Sequence, residues 1–239
     1  MLILSIDTAT PSAGVALVDE KGLRYEAVAN TGYKHSRTLL DMIDVAFRQT
    51  DYVLRDVDAI GVTSGPGSFT GLRIGMASAK GLALAAEKPV IGIPTLDAMA
   101  FHIAWVPALI CPILNARKGE IYGAFYQGGP GPLKRVSDYL ALSPPALAET
   151  ARTYMDQLDL GTISLVGDGV DEYRSQLHDL LGGAMVCPEE PWLPRASSTG
   201  HLAFRRLIQG DIDDVFSLNP IYVRQSEAEN RLAKGKGAR

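Results

Sequence analysis

The chain reads as an α/β protein of two lobes, each a mixed sheet with flanking helices. Three observations point there. The order β-β-β-α-β-α-β-α occurs twice, opening at Leu2 and again at Ala108, about 106 residues apart. Each copy starts with an antiparallel meander before strands and helices alternate. A length of 239 residues suits two lobes of ordinary size. The copies share order and length without obvious identity, so the repeat is one of architecture.

The elements follow in turn. Strand-like runs at Leu2–Ile6, Gly14–Val18 and Leu23–Ala29 are separated by Thr10-Pro11-Ser12 and Asp19-Glu20-Lys21-Gly22, both rich in turn formers. A helix runs from Ser36, a candidate N-cap, to Gln49. A strand (Ala59–Thr63), a glycine-rich loop (Ser64–Gly67), a helix (Thr70–Glu87), a short strand (Val90–Ile93) and a helix (Thr95–Trp105) complete the first copy. The second has strands at Ala108–Leu114, Glu120–Tyr126 and Leu133–Leu142, the last two parted by Gly128-Gly129-Pro130-Gly131-Pro132. A helix near Pro145–Leu158, a strand at Thr162–Val166, a helix at Val170–Leu181, a strand at Ala184–Cys187 and a helix at Ser198–Gln209 follow. The expected division is a first lobe over 1–106, a second over 107–223, and a disordered basic tail over 224–239.

Composition is ordinary for a globular chain, 46% hydrophobic and 21% charged. The formal net charge of -4 argues against tight nucleic-acid binding over the whole surface. The only local basic patch legible in the sequence is the tail, where Arg224, Arg231, Lys234, Lys236 and Arg239 outnumber Glu227 and Glu229. A frayed, solvated terminus reads the same way. Cys111 sits in an apolar run and reads as a buried thiol, and neither it nor Cys187 forms a C-x-x-C. The N-terminus lacks the basic start and apolar core of a signal peptide. No uncharged apolar run approaches the roughly 18–20 residues of a membrane span. The expectation is a cytoplasmic protein with no membrane partner.

Two helices stand out. Leu39, Leu40, Met42, Ile43, Val45, Ala46 and Phe47 spread over about 220° of the first, where a helix on one sheet needs little more than 100°. The second, Thr70–Glu87, has only Arg73, Lys80 and Glu87 as charges and a row of small residues, Gly71, Gly75, Ala79 and Ala83, at spacing four. Helix glycines cost roughly 1 kcal/mol each against alanine, which is easiest to rationalise where another backbone comes close. A central helix buried in its own lobe gives this pattern. The surplus apolar arc favours the other reading, a bundle interface with a partner chain through Leu39, Ile43, Phe47, Phe69, Gly71, Leu72, Gly75, Met76 and Ala79.

Ser64-Gly-Pro-Gly-Ser-Phe-Thr-Gly-Leu-Arg73 follows a strand and opens a helix, where free N–H groups can cradle an anion. It lacks the lysine of a P-loop and the third glycine of a dinucleotide fingerprint. Gly65 and Gly67 could equally serve a tight turn. Asp7, followed by Thr8, Thr10 and Ser12, could hold a metal-bound phosphate or cap its own turn. The four histidines are scattered, with no metal-ligand spacing, and no G-x-S-x-G is present. No residue set makes a convincing active site.

Several blocks together resemble the TsaB (YeaZ) family. They are Leu4-Ser-Ile-Asp-Thr-Ala-Thr10, Lys34-His35-Ser36, Gly65-Pro-Gly-Ser-Phe-Thr-Gly-Leu-Arg-Ile-Gly75 and Gly92-Ile-Pro-Thr-Leu-Asp97, then Asn115-Ala-Arg-Lys-Gly-Glu-Ile-Tyr122 and Pro220-Ile-Tyr-Val-Arg224. The resemblance implies the duplicated actin/hexokinase-like (ASKHA, ribonuclease H-like) fold. It also implies pairing with the catalytic paralogue TsaD and the ATPase TsaE. That assembly transfers threonylcarbamoyl to the adenosine beside the anticodon of tRNAs reading codons that start with A. The paralogue's metal-binding H-x-x-x-H aligns, through Gly92-Ile93, with Thr95 and Met99, so no resident metal is expected here. Val166-Gly-Asp-Gly169 matches the adenosine motif thinly, with Asp168 adding negative charge. The expectation is no cofactor on the chain alone, with ATP or ADP only in the complex, and a homodimer of the isolated chain left open. The rival is a degenerate phosphotransferase or a peptidase acting alone.

Overall fold

The computed structural model describes residues 1–30, 32, 35–190 and 192–223. The basic tail, the expected disorder there, and Lys34 and Arg224 of the family blocks lie outside the described residues.

The first sheet has the order β3-β2-β1-β4-β5, built from β1 (Leu2–Asp7), β2 (Ala13–Asp19), β3 (Gly22–Ala29), β4 (Ala59–Gly65) and β5 (Val90–Pro94). The meander β1–β2–β3 is antiparallel, and β4 and β5 continue parallel to β1. β1 is buried on both faces, which its unbroken run Leu2–Ile6 requires. Leu2, Leu4 and Ile6 face α1 (His35–Thr50) and α2 (Phe69–Ala86), while Ile3 faces the other side. There α3 (Thr95–His102) and α6 (Ala196–Ile208) form the cover.

The second sheet repeats the plan around β6 (Leu109–Arg117). It has β7 (Glu120–Gly123) and β10 (Leu140–Leu142) on one side, and β11 (Ile163–Val166) and β12 (Met185–Val186) on the other. Its third strand is broken where one run over Leu133–Leu142 was expected. β8 (Tyr126–Gln127) pairs with β9 (Lys134–Arg135), whereas β10 pairs with β7. Between them the Ser137 hydroxyl accepts from the N–H of Phe125, at 2.8 Å, and ends the ladder. α4 (Pro144–Leu158), capped by Ser143, and α5 (Asp168–Leu181) pack on this lobe. α3 also touches its core through Leu96, Met99 and Ala100.

The expected boundary at 107–223 needs correction. From Ala196 the chain returns to the first lobe: Ala203 packs with Ile3, Ala59 and Ile91, and Ala196 with Ala16 and Val18. Glu26, on β3, accepts the N–H of Ser197 at 2.9 Å and pairs with Arg195 at 3.2 Å, capping α6 from a distant strand. Beyond α6, Val215 and Leu218 pack on the core between the first sheet and α1–α2. Ile221 donates to the carbonyl of Ser64 at 2.7 Å. The physical reason is coverage: the first sheet has two apolar faces, and α3 alone is too short for the second. Among the described residues, no helix is long and apolar enough to cross a membrane.

Candidate functional site

Asp7 ends β1 with its side chain fully enclosed. Its Oδ1 accepts the N–H of Ala9 at 3.0 Å and the hydroxyl of Thr63 at 3.2 Å, so it does cap its own turn. Its Oδ2 is buried with no hydrogen-bond partner among the described residues. Burial pushes the Asp7 carboxyl up to about 6, against the pull of the two donors. The loop it starts is held at several points. Thr10 and Ser12 share a hydroxyl–hydroxyl bond at 2.9 Å, and Nε2 of His35 meets the Thr10 carbonyl at 2.9 Å. The hydroxyl of Thr8 donates to the carbonyl of Gly71 at 2.8 Å.

The last bond explains the glycine row. A Cβ on Gly71 would run into the Thr8 carbonyl, one on Gly75 into the Thr8 hydroxyl, and one on Gly67 into the Ala9 carbonyl. The backbone that comes close is the chain's own Asp7–Thr10 loop. Leu39, Ile43, Leu72, Met76 and Ala79 are between 0% and 4% exposed and lie in the lobe's core, with Phe47 packed against it. The reading of these residues, with Gly71 and Gly75, as a partner interface is therefore corrected. A side chain without surface has nothing to offer a second chain, and of that set Phe69 alone is exposed.

The glycine loop itself serves packing. Ser68 caps α2 by accepting the N–H of Gly71 at 3.2 Å, so that donor is already engaged, and Gly65 donates to the hydroxyl of Thr95 at 3.1 Å. Thr95 thus ties α3 to the end of β4. Met99 is buried beside Gly167, where a Cβ would meet its terminal methyl at 2.5 Å. Both positions that align with the paralogue's histidines are built into the packing.

Across from the Asp7–Ser12 loop, Asp168 at the start of α5 accepts the N–H of Asn115 at 3.0 Å. Burial raises its pKa, opposed by backbone N–H groups. A cavity of about 440 Å³ between the lobes is lined by Pro11, Asn115, Arg117, Asp168, Asp171 and Glu172. Arg117 reaches it from the β6–β7 turn, where Arg117, Lys118 and Gly119 all take positive φ (63°, 57° and 79°) and the Asn115 side chain accepts the Arg117 N–H at 2.8 Å. Three carboxylates against one guanidinium repel a free triphosphate. Asp171 and Glu172, one helical turn from Asp168, and Arg117 were not singled out from the sequence. The signal available was their neighbourhood: a Lys-Gly turn in one motif and acids just after another. Among the described residues no group of three or more His, Cys, Asp or Glu is placed to hold a metal ion.

Two sheets of matching strand order, with a cavity lined from both lobes, make up the duplicated actin/hexokinase-like fold. The activator of 2-hydroxyisocaproyl-CoA dehydratase from Clostridium difficile, solved with ADPNP, shares this fold at a TM-score of 0.53 and 10% identity. That match covers 90% of this chain and 99% of the activator. The family model of TsaD, tRNA N6-adenosine threonylcarbamoyltransferase, matches residues 29–156. YeaZ from Pseudomonas aeruginosa superposes with a TM-score of 0.76 at 25% identity, over 92% of this chain and 99% of that one. The tRNA threonylcarbamoyladenosine biosynthesis protein TsaB of Escherichia coli is 32% identical, over 97% of this chain and 98% of its own length. The chain belongs to the TsaB (YeaZ) family.

Proposed function

We propose that this chain is the non-catalytic subunit of the cytoplasmic assembly that installs threonylcarbamoyl on the adenosine beside the anticodon of tRNAs reading ANN codons. In this reading it pairs with a TsaD-type catalytic chain and works with a TsaE-type ATPase. The carrying observation is the use made of Thr95 and Met99. One bonds the Gly65 N–H and the other fills the space beside Gly167, so both are spent on the first lobe and its junction with the second. The acidic cavity supports assigning ATP or ADP to the assembled complex rather than to the chain alone.

Docking on the catalytic chain falls to the outer face of α1 and α2. Leu40 (59%), Val45 (38%), Leu84 (52%) and Phe69 (41%) are exposed there. Phe69 is flanked by Arg73, 3.9 Å over its ring, and by Tyr222 at 5.4 Å. Small residues recur on this face as well: Ala77, Gly81 and Ala85 are exposed at spacing four.

Reconstitution tests the reading. The chain alone should neither hydrolyse ATP nor modify tRNA, and threonylcarbamoyladenosine should form only when TsaD-type and TsaE-type chains are added with it. ATP turnover or peptide cleavage by the purified chain would favour the degenerate-enzyme alternative.

A further inference from the structure

The face of the first lobe opposite α1–α2 carries a feature that the sequence did not show. There α3 and α6 bring cationic and aromatic side chains together. The guanidinium of Arg205 lies over the ring of Phe101, 4.8 Å from its centroid, and no carboxylate stands within ion-pair distance of it among the described residues. His201 packs on the same ring at 6.2 Å. The next residue, His102, meets Trp192 edge-on at 5.8 Å. The chain keeps turning beyond α3, with the N–H of Ala104 donating to the Phe101 carbonyl, and this sets Trp105 one turn past Phe101. Trp105 is 75% exposed. Arg195, half exposed, stands at the start of α6.

Two of the nearby acids, Glu26 and Asp97, are engaged. Glu26 is 8% exposed and holds Arg195 and the Ser197 N–H. Asp97 accepts the hydroxyls of Tyr126 and Tyr139 at 2.6 and 3.0 Å and faces Arg135 at 3.6 Å. Arg205 is left without a carboxylate partner among the described residues, and after burial Arg195 and Arg205 help hold His102 and His201, respectively, below the usual histidine value.

We propose that this α3–α6 face, centred on Phe101, Trp105 and Arg205, binds unstacked nucleotides of an RNA substrate. The exposed Trp105 ring stands beside the half-buried Phe101 and its guanidinium cover, and single-stranded nucleic acid is recognised by such pairs: bases stack on the ring and phosphates pair with the cation. The choice of RNA rests on the proposed role in tRNA modification. Because α3–α6 and α1–α2 cover opposite faces of one sheet, a catalytic partner and RNA can be held at once.

The test uses the full chain and a labelled single-stranded 12-nucleotide RNA of mixed sequence, followed by fluorescence anisotropy at several salt concentrations. A duplex of the same length and an acidic peptide serve as competitors. The single strand should bind best. Trp105→Ala should weaken it at least about fivefold, since stacking on one ring is worth about 1–3 kcal/mol per base. Arg205→Ala should reduce the salt slope by about 0.7, the value for one phosphate contact on a single strand. Arg55→Ala, on a remote exposed turn, should change neither. Thermal melting should be unaltered for Trp105→Ala, which removes an exposed ring. Absence of saturable binding, an affinity unchanged by Trp105→Ala, or preference for the acidic peptide overturns the proposal. Co-purification with the catalytic chain reads the other face, so that result stands or falls separately.

Discussion

At the scale of single residues, Asp7 carries a burial cost that its two donors only partly offset. One carboxylate oxygen is bonded and the other is buried without a partner among the described residues. Its pKa, about 6 when folded, stands above the 3.8 of an unburied aspartate, which applies when unfolded. The unfolded chain therefore releases this proton more readily, and the folded state gains relative stability as pH falls. That contribution is complete below about 3.8 and is lost as pH rises through about 6. Asp7→Asn removes the charge but places an amide where the lone oxygen lies, and an unbonded N–H has its own cost. The expected net gain is about 1–3 kcal/mol at pH 7.5, with a flatter stability profile between pH 4 and 7. Urea unfolding across that range checks it, and a variant less stable than the parent at pH 7.5 would refute the assignment. The sequence marked Asp7 as either a ligand holder or a turn cap. Its bonds establish the cap, whereas enclosure by Gly14 and the start of α6 depends on a segment nearly two hundred residues away.

At the scale of elements, α2 shows what periodicity reveals and what it hides. The run of small residues at spacing four was legible, and so was the need for close backbone approach. What the sequence left open was which backbone, because a helix covering its own loop and one covering a partner use the same residues. Thr8 decides it. Gly75→Ala should cost about 1–3 kcal/mol in the isolated chain, since Thr8 must rotate and give up its bond to Gly71. Gly81 lies on the outer face with open space around it. Gly81→Ala should stabilise the chain by about 1 kcal/mol through helix propensity. Gly81→Leu should leave melting unharmed yet weaken co-purification with the catalytic chain roughly tenfold or more, by overpacking a small-residue contact. Unchanged co-purification of Gly81→Leu would remove the outer face of α2 from the interface. Strands were read well where apolar runs were long, as at β1 and β4. The third strand of the second lobe was misjudged because the break at Ser137 comes from a side chain bonding Phe125, a contact that no local pattern announces.

At the scale of the whole molecule, the doubled β-β-β-α-β-α-β-α order carried the fold class, while the route of the chain after β12 was invisible to it. Counting copies assigned α6 to the second lobe; the exposed face of the first sheet, and Glu26 waiting at its edge, brought it back. The α3–α6 patch was invisible for the same reason, since Phe101, Trp192 and Arg205 come from three separate segments. The return is fastened by Arg206. Its guanidinium donates to Asp211 at 2.7 Å, to Asp213 at 3.1 Å and to the Gly92 carbonyl at 2.8 Å, while Asp213 also accepts the Gly92 N–H at 2.8 Å. This network sits at the end of α6 and fixes the start of the segment that carries Leu218 into the core and Tyr222 onto Phe69. Arg206→Ala leaves two carboxylates beside β5 without their cation. Because the side chain is about one quarter exposed, the cost is less than that of a fully buried pair, about 1–3 kcal/mol. The loss should be local before it is global: faster hydrogen exchange at the amides of Gly92, Asp213 and Ile221, with β1, β2 and α4 unaffected. Since Tyr222 shares the Phe69 contact, co-purification with the catalytic chain should fall as well, whereas RNA binding on the α3–α6 face should persist. Exchange that rises uniformly across both lobes, or that does not rise at Gly92, would show that α6 holds the segment by packing alone and that Arg206 is not its fastening.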